Sequence, residues 1–268
     1  MIKESKWPGI ITTSLEARKE HWDLAEKISI DTGLPVVARG KKTIKELSEE
    51  WQAEHIIVVK AQKVICITGA TELFFHPSMA VLRIKEIRSG KNDTMINAMN
   101  LKPGEKLLDC TLGLGVDAIV ASYVLGKDGL VVGWESSPIV ASIVRIGLNS
   151  GYKQTKKVVQ EAMKRIVVEH ADHREALNTL PANCFDVVYF DPMFRRPHHK
   201  SSAVNALRPL ADNRFLTTEV IASAIRVARR RVVVKDNKMG SELVRLGFNR
   251  FEGGKHSRVV YGVMIKEE

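Results

Sequence analysis

Between Lys106 and Lys235 the chain alternates short, largely apolar runs with stretches of helical length, and few folds accept that alternation. KLLDC (106–110), LVVGWE (130–135), RIVVEH (165–170), FDVVYFD (185–191) and RRVVVK (230–235) predict strands. The stretches 117–125, 138–148, 156–164 and 218–228 predict helices between them. Strands with little polar alternation are buried on both faces, and helical crossovers make sequential strands parallel. The C-terminal end departs from this pattern. After a predicted helix over 241–246, FNRFEG and RVVYGVMI follow one another with no room for a crossover helix, so they must pair antiparallel. The expected fold is α/β: a Rossmann-like sheet, mostly parallel, closed by an antiparallel C-terminal hairpin.

The first hundred residues have a different texture and predict a small α/β appendage over 1–100, with the sheet domain over 101–268. Helices are expected over 15–30, 43–54, 78–88 and 93–99, with strands at IIVVK (56–60) and VICIT (64–68). No apolar run approaches the ~18–20 residues that span a bilayer, so no membrane partner is expected. The N-terminus MIKESKWPGI lacks a hydrophobic signal core. Cys66, Cys110 and Cys184 have no metal-binding spacing, and His198 and His199 lack spaced partners, so no metal is expected. Free thiols without a signal segment predict a cytoplasmic protein. The 41 Lys and Arg exceed the 31 Asp and Glu by a formal +10. That excess favours a polyanionic partner, because neutralising phosphates dominates nucleic-acid affinity.

DCTLGLGVDA (109–118) follows the first strand and opens a helix. Gly113 and Gly115 permit a tight turn and close backbone approach, and the helix start offers unpaired N–H groups. Glu135 ends the next strand, where a carboxylate can accept hydrogen bonds from both hydroxyls of a ribose. An adenosine-containing cofactor fits this loop, but the spacing also satisfies the dinucleotide fingerprint of an NAD-dependent oxidoreductase. Asp109 and Asp117 tilt the balance: an anionic rim repels a pyrophosphate, whereas S-adenosyl-L-methionine (SAM) brings a sulfonium and an ammonium. Asp172, after the third strand, could meet an adenine amino group or cap the helix that follows.

FDVVYFDPMF (185–194) runs an apolar strand into Asp191-Pro192-Met193-Phe194 at the same crevice. Proline fixes φ and removes an N–H, so carbonyls can face outward. A carboxylate with outward carbonyls can accept both hydrogens of an exocyclic amine and stabilise the positive charge that develops as nitrogen attacks a methyl group. Phe194 can stack on a base. Carbon-5 methylation of pyrimidines needs a cysteine nucleophile, and none lies in or just after this motif. The pattern resembles the (D/N)PP(Y/F) signature of enzymes that methylate amino groups of bases, with Met193 in place of the second proline.

DCTLGLGVDA, WESSP (134–138), VVYFDPMF followed by Lys200-Ser201, and RRVVVK together resemble the bacterial small-subunit ribosomal RNA guanine-N2 methyltransferases of the RsmJ type, over about residues 105–265. The resemblance implies a class I methyltransferase fold and SAM as cofactor. It implies a SAM site formed by Asp109, Gly113, Gly115, Val116, Asp117, Glu135, Ser136, Asp172, His173 and Asp191, and a catalytic segment Asp191, Pro192, Met193 and Phe194 holding guanine. Cys110 and Leu112 stand where that family has alanine, Val116 where it has arginine and Asp172 where it has serine. Ribosomal RNA or the small ribosomal subunit is then the expected partner. RRPHHKSS (195–202) follows the motif directly, so Arg195, Arg196 and Lys200, with Lys235 at the end of the next strand, are the expected RNA contacts. Methylation of adenine N6 or cytosine N4, and a non-catalytic RNA-binding module, are the other readings of this chain.

Overall fold

The structure, a computed structural model, describes residues 8–150, 155–192, 202–237, 241–254 and 257–266. The chain begins with strand β1 (Gly9–Thr13) and helices α1 (Lys19–Thr32) and α2 (Ile44–Trp51). Strands β2 (His55–Val59), β3 (Val64–Thr68) and β4 (Thr71–Phe74) follow, then helices α3 (Ser78–Arg88) and α4 (Thr94–Met99). The alternating region comprises β5 (Lys106–Asp109), α5 (Val116–Leu125), β6 (Leu130–Glu135), α6 (Pro138–Asn149), α7 (Lys157–Lys164), β7 (Ile166–His170), α8 (His173–Thr179) and β8 (Phe185–Phe190). Beyond it lie α9 (Ser202–Leu207) with a 3-10 turn at Arg208–Leu210, α10 (Thr218–Val227), β9 (Ala228–Asn237), α11 (Glu242–Arg245), β10 (Arg250–Glu252) and β11 (Val259–Ile265).

The large sheet has the order β10-β11-β9-β8-β5-β6-β7. Strands β9, β8, β5, β6 and β7 are parallel to one another, and β11 runs antiparallel between β9 and β10. Period-two alternation distributes the side chains: Leu107, Val131, Val187, Tyr189 and Val233 enter one core, and Leu108, Val132, Val188, Phe190 and Val234 enter the other. Both faces are therefore apolar, as the strand composition predicted. Several helices start where the sequence supplies a side-chain cap. Thr43 and Glu46 form a capping box for α2, and Ser137 caps α6 ahead of Pro138.

The order of the four-stranded sheet is β1-β2-β3-β4, with β1 parallel to β2 and the rest antiparallel. Strands β1 and β4 were not expected from the sequence. The helix expected from Leu15 starts at Lys19, because β1 and its turn occupy the preceding residues and leave Leu15 exposed. The two sheets share one apolar core that runs from Ile11 and Ile57 to Leu107 and Tyr189. Helix α3 packs on α5 and α7, α4 on β9 and β11, and α6 on β3. Helix α9, within a segment read from sequence as a basic loop, packs on β4. No helix among the described residues is long and apolar enough to cross a membrane.

One contact between the layers tolerates no extra atom. A Cβ on Gly147 of α6 would lie 2.2 Å from Cγ and 2.4 Å from Cβ of Phe75. The Phe75 Cβ cannot swing away without moving its backbone, so Gly147→Ala should cost about 1–3 kcal/mol by overpacking. A urea-unfolding midpoint equal to that of the parent protein would show that the layers are not in this contact.

Candidate functional site

The sequence DCTLGLG folds as a strand, a tight turn and a helix start. Gly113 and Gly115 have φ of +51° and +74°, the left-handed region that glycine enters without strain. The Gly115 N–H closes the turn on the Leu112 carbonyl at 2.8 Å, and Gly115 caps α5. Val116 begins α5 and packs against the core. The loop lies at the carboxyl ends of β5, β6 and β8, on both sides of the point where the strand order reverses. In open α/β sheets, ligands bind in such a crevice. Its lining includes Cys110, Thr111, Gly113, Glu135, Ser136, His173, Asp191, Pro192, Leu207 at the end of α9 and, from the segment after it, Asp212 and Arg214.

Glu135 is held rigidly. Its two carboxylate oxygens accept the Gly113 N–H at 3.0 Å and the Ser137 N–H at 2.8 Å. Burial pushes its pKa up to about 6 in spite of those bonds. His173 sits edge-on to Phe190, with ring centroids 5.5 Å apart. Burial, reinforced by Arg174, lowers it to about 4, so it is a neutral imidazole at physiological pH. Its buried Nε2 has no hydrogen-bond partner among the described residues. Asp172 caps α8 by accepting the Arg174 N–H at 3.0 Å, and its other oxygen takes Arg214 at 2.5 Å. The capping alternative for Asp172 is thus realised, and both its oxygens are engaged within the protein.

On the β8 side a charged cluster is packed under the crevice. Asp191, which follows β8, donates its backbone N–H to Thr111 Oγ1 at 2.6 Å. Lys235 Nζ of β9 lies 2.6 Å from Asp191 Oδ2 and 3.2 Å from Asp117 Oδ2. Asp117 also accepts the Tyr189 hydroxyl at 2.8 Å and pairs with Arg83 of α3. Arg83 in turn forks onto both oxygens of Asp93 at 2.8 and 2.9 Å. Burial alone would raise the Asp117 carboxyl, but Lys235 and Arg83 outweigh it and hold the group well below the usual range. Burial and the Asp117 charge push Asp191 up, against the pull of Lys235. Asp109 is wholly buried, and that burial raises its carboxyl well above the ordinary value, although it accepts the Thr111 N–H.

The sequence expectations sort accordingly. Gly113, Glu135, Ser136, His173, Asp191 and Pro192 line one crevice, while Asp109 is buried and Asp117 mostly buried beside it. Lys235, expected as an RNA contact, reaches the crevice region, but two carboxylates hold its ammonium inside the protein. Met193, Phe194, Arg195, Arg196 and Lys200 lie outside the described residues. Sequence reasoning gave no role to Thr111, Arg83 or Tyr189; of these only Arg83, loosely similar to the RsmJ-type family and a lone cation among the apolar residues of MAVLRI, left a trace. Cys110 does line the crevice, but burial, aided by Asp109, drives its pKa far up, so it is no thiolate nucleophile.

These residues fit SAM. The glycine turn lets the backbone approach a ligand closely, Glu135 lines the crevice with its carboxylate fixed by two backbone N–H groups and able to accept from hydroxyls, and His173 Nε2 is buried without a partner among the described residues. Arg83 is shared between Asp93 and Asp117, and Lys235 between Asp117 and Asp191, so three carboxylates meet two cations and the cluster beside the glycine loop has a net negative charge. That charge suits a sulfonium and repels a pyrophosphate. Strand order and site define a class I, Rossmann-like methyltransferase with SAM as its cofactor.

The chain belongs to the SAM-dependent methyltransferase family. The family model described as "Putative SAM-dependent methyltransferase" matches residues 50–261. Uncharacterized protein YpiP of Bacillus subtilis (strain 168) is 38% identical over 240 residues, 90% of this chain and 93% of YpiP. Ribosomal RNA small subunit methyltransferase J of Hydrogenovibrio crunogenus is 31% identical over 160 residues, 58% of this chain and 56% of that protein. Its counterpart in Coxiella burnetii is 31% identical over 176 residues, 63% of this chain and 65% of that protein. The chain thus spans less than two thirds of either methyltransferase. A crystal structure of a SAM-dependent methyltransferase from Neisseria gonorrhoeae shares the fold, with a TM-score of 0.63 over 95% of each chain at 16% identity.

Glu135 makes a pH prediction. An ionised carboxylate can accept from ribose hydroxyls while it holds its two N–H groups, and a protonated one cannot do both. With its pKa raised to about 6 in the free protein, S-adenosylhomocysteine should bind more tightly from about pH 5 to about pH 7, releasing a proton near the middle of that range. Glu135→Ala should weaken binding about 10–100-fold and remove the pH dependence. Calorimetry in buffers of differing ionisation enthalpy measures both, and unchanged affinity in the variant would remove Glu135 from the site.

Proposed function

We propose that the protein transfers the methyl group of SAM to an exocyclic amino nitrogen of a nucleobase, and that the target is guanine N2 in small-subunit ribosomal RNA. The observation that carries this reading is the position of Asp191-Pro192. The carboxylate follows the central strand β8 and lines the same crevice as Gly113 and Glu135. Its Oδ2 is taken by Lys235, and no described residue bonds its Oδ1. A carboxylate oxygen fixed at the crevice wall is the acceptor that an aromatic amine needs, since accepting an N–H steers the nitrogen lone pair and stabilises the charge that grows on nitrogen. SAM, when bound, supplies the electrophilic methyl group.

Ribosomal RNA as substrate is supported by the relatives named ribosomal RNA small subunit methyltransferase J, by the DPMF sequence and by the formal charge of +10. RNA bases are reached by splaying them out of the stack, and cations beside the pocket then hold the flanking phosphates. Arg195, Arg196 and Lys200 follow the motif in sequence and are proposed for that role, with Phe194 stacking on the base. SAM as cofactor and ribosomal RNA as substrate imply work in the compartment that holds ribosomes.

Asp191→Ala should lower the methylation rate at least ~10²–10³-fold while leaving S-adenosylhomocysteine affinity within about threefold; a near-normal rate excludes Asp191 from the reaction. Mass spectrometry of nucleosides from the small-subunit RNA of a deletion strain should lack one N2-methylguanosine, and loss of another mark instead would redirect the target. Charge reversal at Arg195 and Arg196 together should flatten the slope of log affinity for RNA against log salt by about one to two units. An unchanged slope would place the phosphates elsewhere.

A further inference from the structure

Under the crevice, charges alternate in a chain from Arg83 through Asp117 and Lys235 to Asp191. We propose that Lys235 is a positioning residue for methyl transfer: clamped by Asp117, which Arg83 holds in turn, it fixes Asp191 Oδ2 and keeps the carboxylate ionised so that Oδ1 receives the target amine. The inference rests on the amine reading above and deepens it, since it assigns Lys235 a task other than RNA contact. It also gives α3, from the segment ahead of the large sheet, a part in setting the active site.

The geometry supports each link. Lys235 Nζ makes its shorter contact to Asp191, 2.6 Å, and its longer one to Asp117, 3.2 Å. Asp117 would compete for the ammonium if it were free, but its Oδ1 is committed to Arg83 and its Oδ2 is shared with the Tyr189 hydroxyl. Arg83 is itself anchored by Asp93, which caps α4. The Lys235 side chain is 19% exposed and that of Asp117 13%. Burial opposes the Lys235 charge, yet the two carboxylates beside it raise its pKa above the ordinary value. The groups acting on Asp191 are then Lys235 from β9, Asp117 from α5, Asp109 from β5, Arg83 from α3, Tyr189 from β8 and Tyr261 from β11. Only Lys235 and Arg83 among them are cations, and only Lys235 touches the carboxylate.

The chemistry explains why an ammonium is placed there. As the nitrogen–carbon bond forms, the sulfur–carbon bond breaks, the sulfonium becomes a thioether and the positive charge passes to the amine nitrogen. A methylated aromatic amine in that state is a strong acid and gives its proton to water without a dedicated base. Asp191 is needed earlier, as an ionised acceptor that orients the amine. Partly desolvated, with its side chain 29% exposed, and near Asp117, its carboxyl would otherwise protonate more readily, and a protonated acid presents a donor to the amine.

The test compares Lys235→Met and Lys235→Arg with the parent protein in three measurements. Lys235→Met should bind S-adenosylhomocysteine within about threefold of normal, lose about 10–100-fold in kcat, and move the acid limb of the kcat–pH profile up by about one unit or more. Lys235→Arg should restore most of the rate and return the limb. Carboxylate carbon NMR, with Asp191 assigned through Asp191→Asn, should show the same upward shift of Asp191 in Lys235→Met with no substrate present. Arg83→Met should shift Asp191 in the same direction by less. An Asp191 titration unmoved by Lys235→Met overturns the positioning role even if guanine N2 is methylated. If the amine reading fails instead, the NMR shift still stands. A variant in which only the salt dependence and KM for RNA change, with kcat and its pH profile intact, would return Lys235 to RNA contact.

Discussion

The active end of this sheet depends on burying carboxylates together. Asp117 and Asp191 approach one ammonium, with Asp109 close by and Asp93 a step further out. Like charges at such distances cannot all stay ionised in a desolvated site unless cations are interleaved. Two are, and each comes from a different part of the chain: Lys235 from β9 and Arg83 from α3. This requirement links the first hundred residues to the sheet more tightly than apolar contact alone would. Removing either cation leaves a buried negative charge uncompensated, which costs far more than losing an exposed ion pair.

The same constraint separates what was legible in the sequence from what was not. The sheet was legible because strands buried on both faces write near-continuous apolar runs, and LVVGWE and VICIT coincide with the observed β6 and β3. The antiparallel end was legible from a single fact, the lack of room for a crossover before RVVYGVMI. Gly113 and Glu135 could be paired because the turn and the strand end are linked by fold geometry. Arg83 and Asp117 are joined only by tertiary packing, and no local pattern announces that they meet. Strands β1 and β4 were missed for a similar reason: GIITT and TELF hold fewer consecutive apolar residues than HIIVV and VICIT, and pairing with β2 and β3 makes them strands. Lys235 illustrates a subtler limit, since position along a strand told that it reaches the crevice but not that carboxylates would be waiting there.

The positive excess also changes meaning. Several cations that composition counts toward a polyanion partner are engaged internally: Arg174 and Arg214 on Asp212 and Asp172, Arg229 on Asp186, Arg230 on Glu105, and Arg145 on Asp31. Arg174 and Arg214 fasten the segment after α9 across the mouth of the crevice, beside His173. Net charge is a property of the whole surface field, so these pairs do not reduce the total. They do restrict which side chains remain to meet phosphates, and they shift attention from the sheet to the segments around it.

A cofactor bearing a positive sulfur and a substrate amine that turns positive during reaction place the same demand on the protein. Each needs negative charge nearby, yet too much of it would raise carboxylate pKa values until the acceptor is lost. A small net negative charge meets both needs. Lys235 subtracts one from the Asp117–Asp191 pair, and Arg83 with Asp93 adds nothing, so the balance is set by how many cations reach the cluster. In this reading the catalytic carboxylate and the cofactor's sulfonium are coupled through Asp117, which stands in the first turn of α5 directly after the glycine loop. Binding a cation at that loop should relieve the repulsion between Asp117 and Asp191 and favour the ionised form of the latter. The cofactor would thereby prepare the acceptor for the amine that arrives after it.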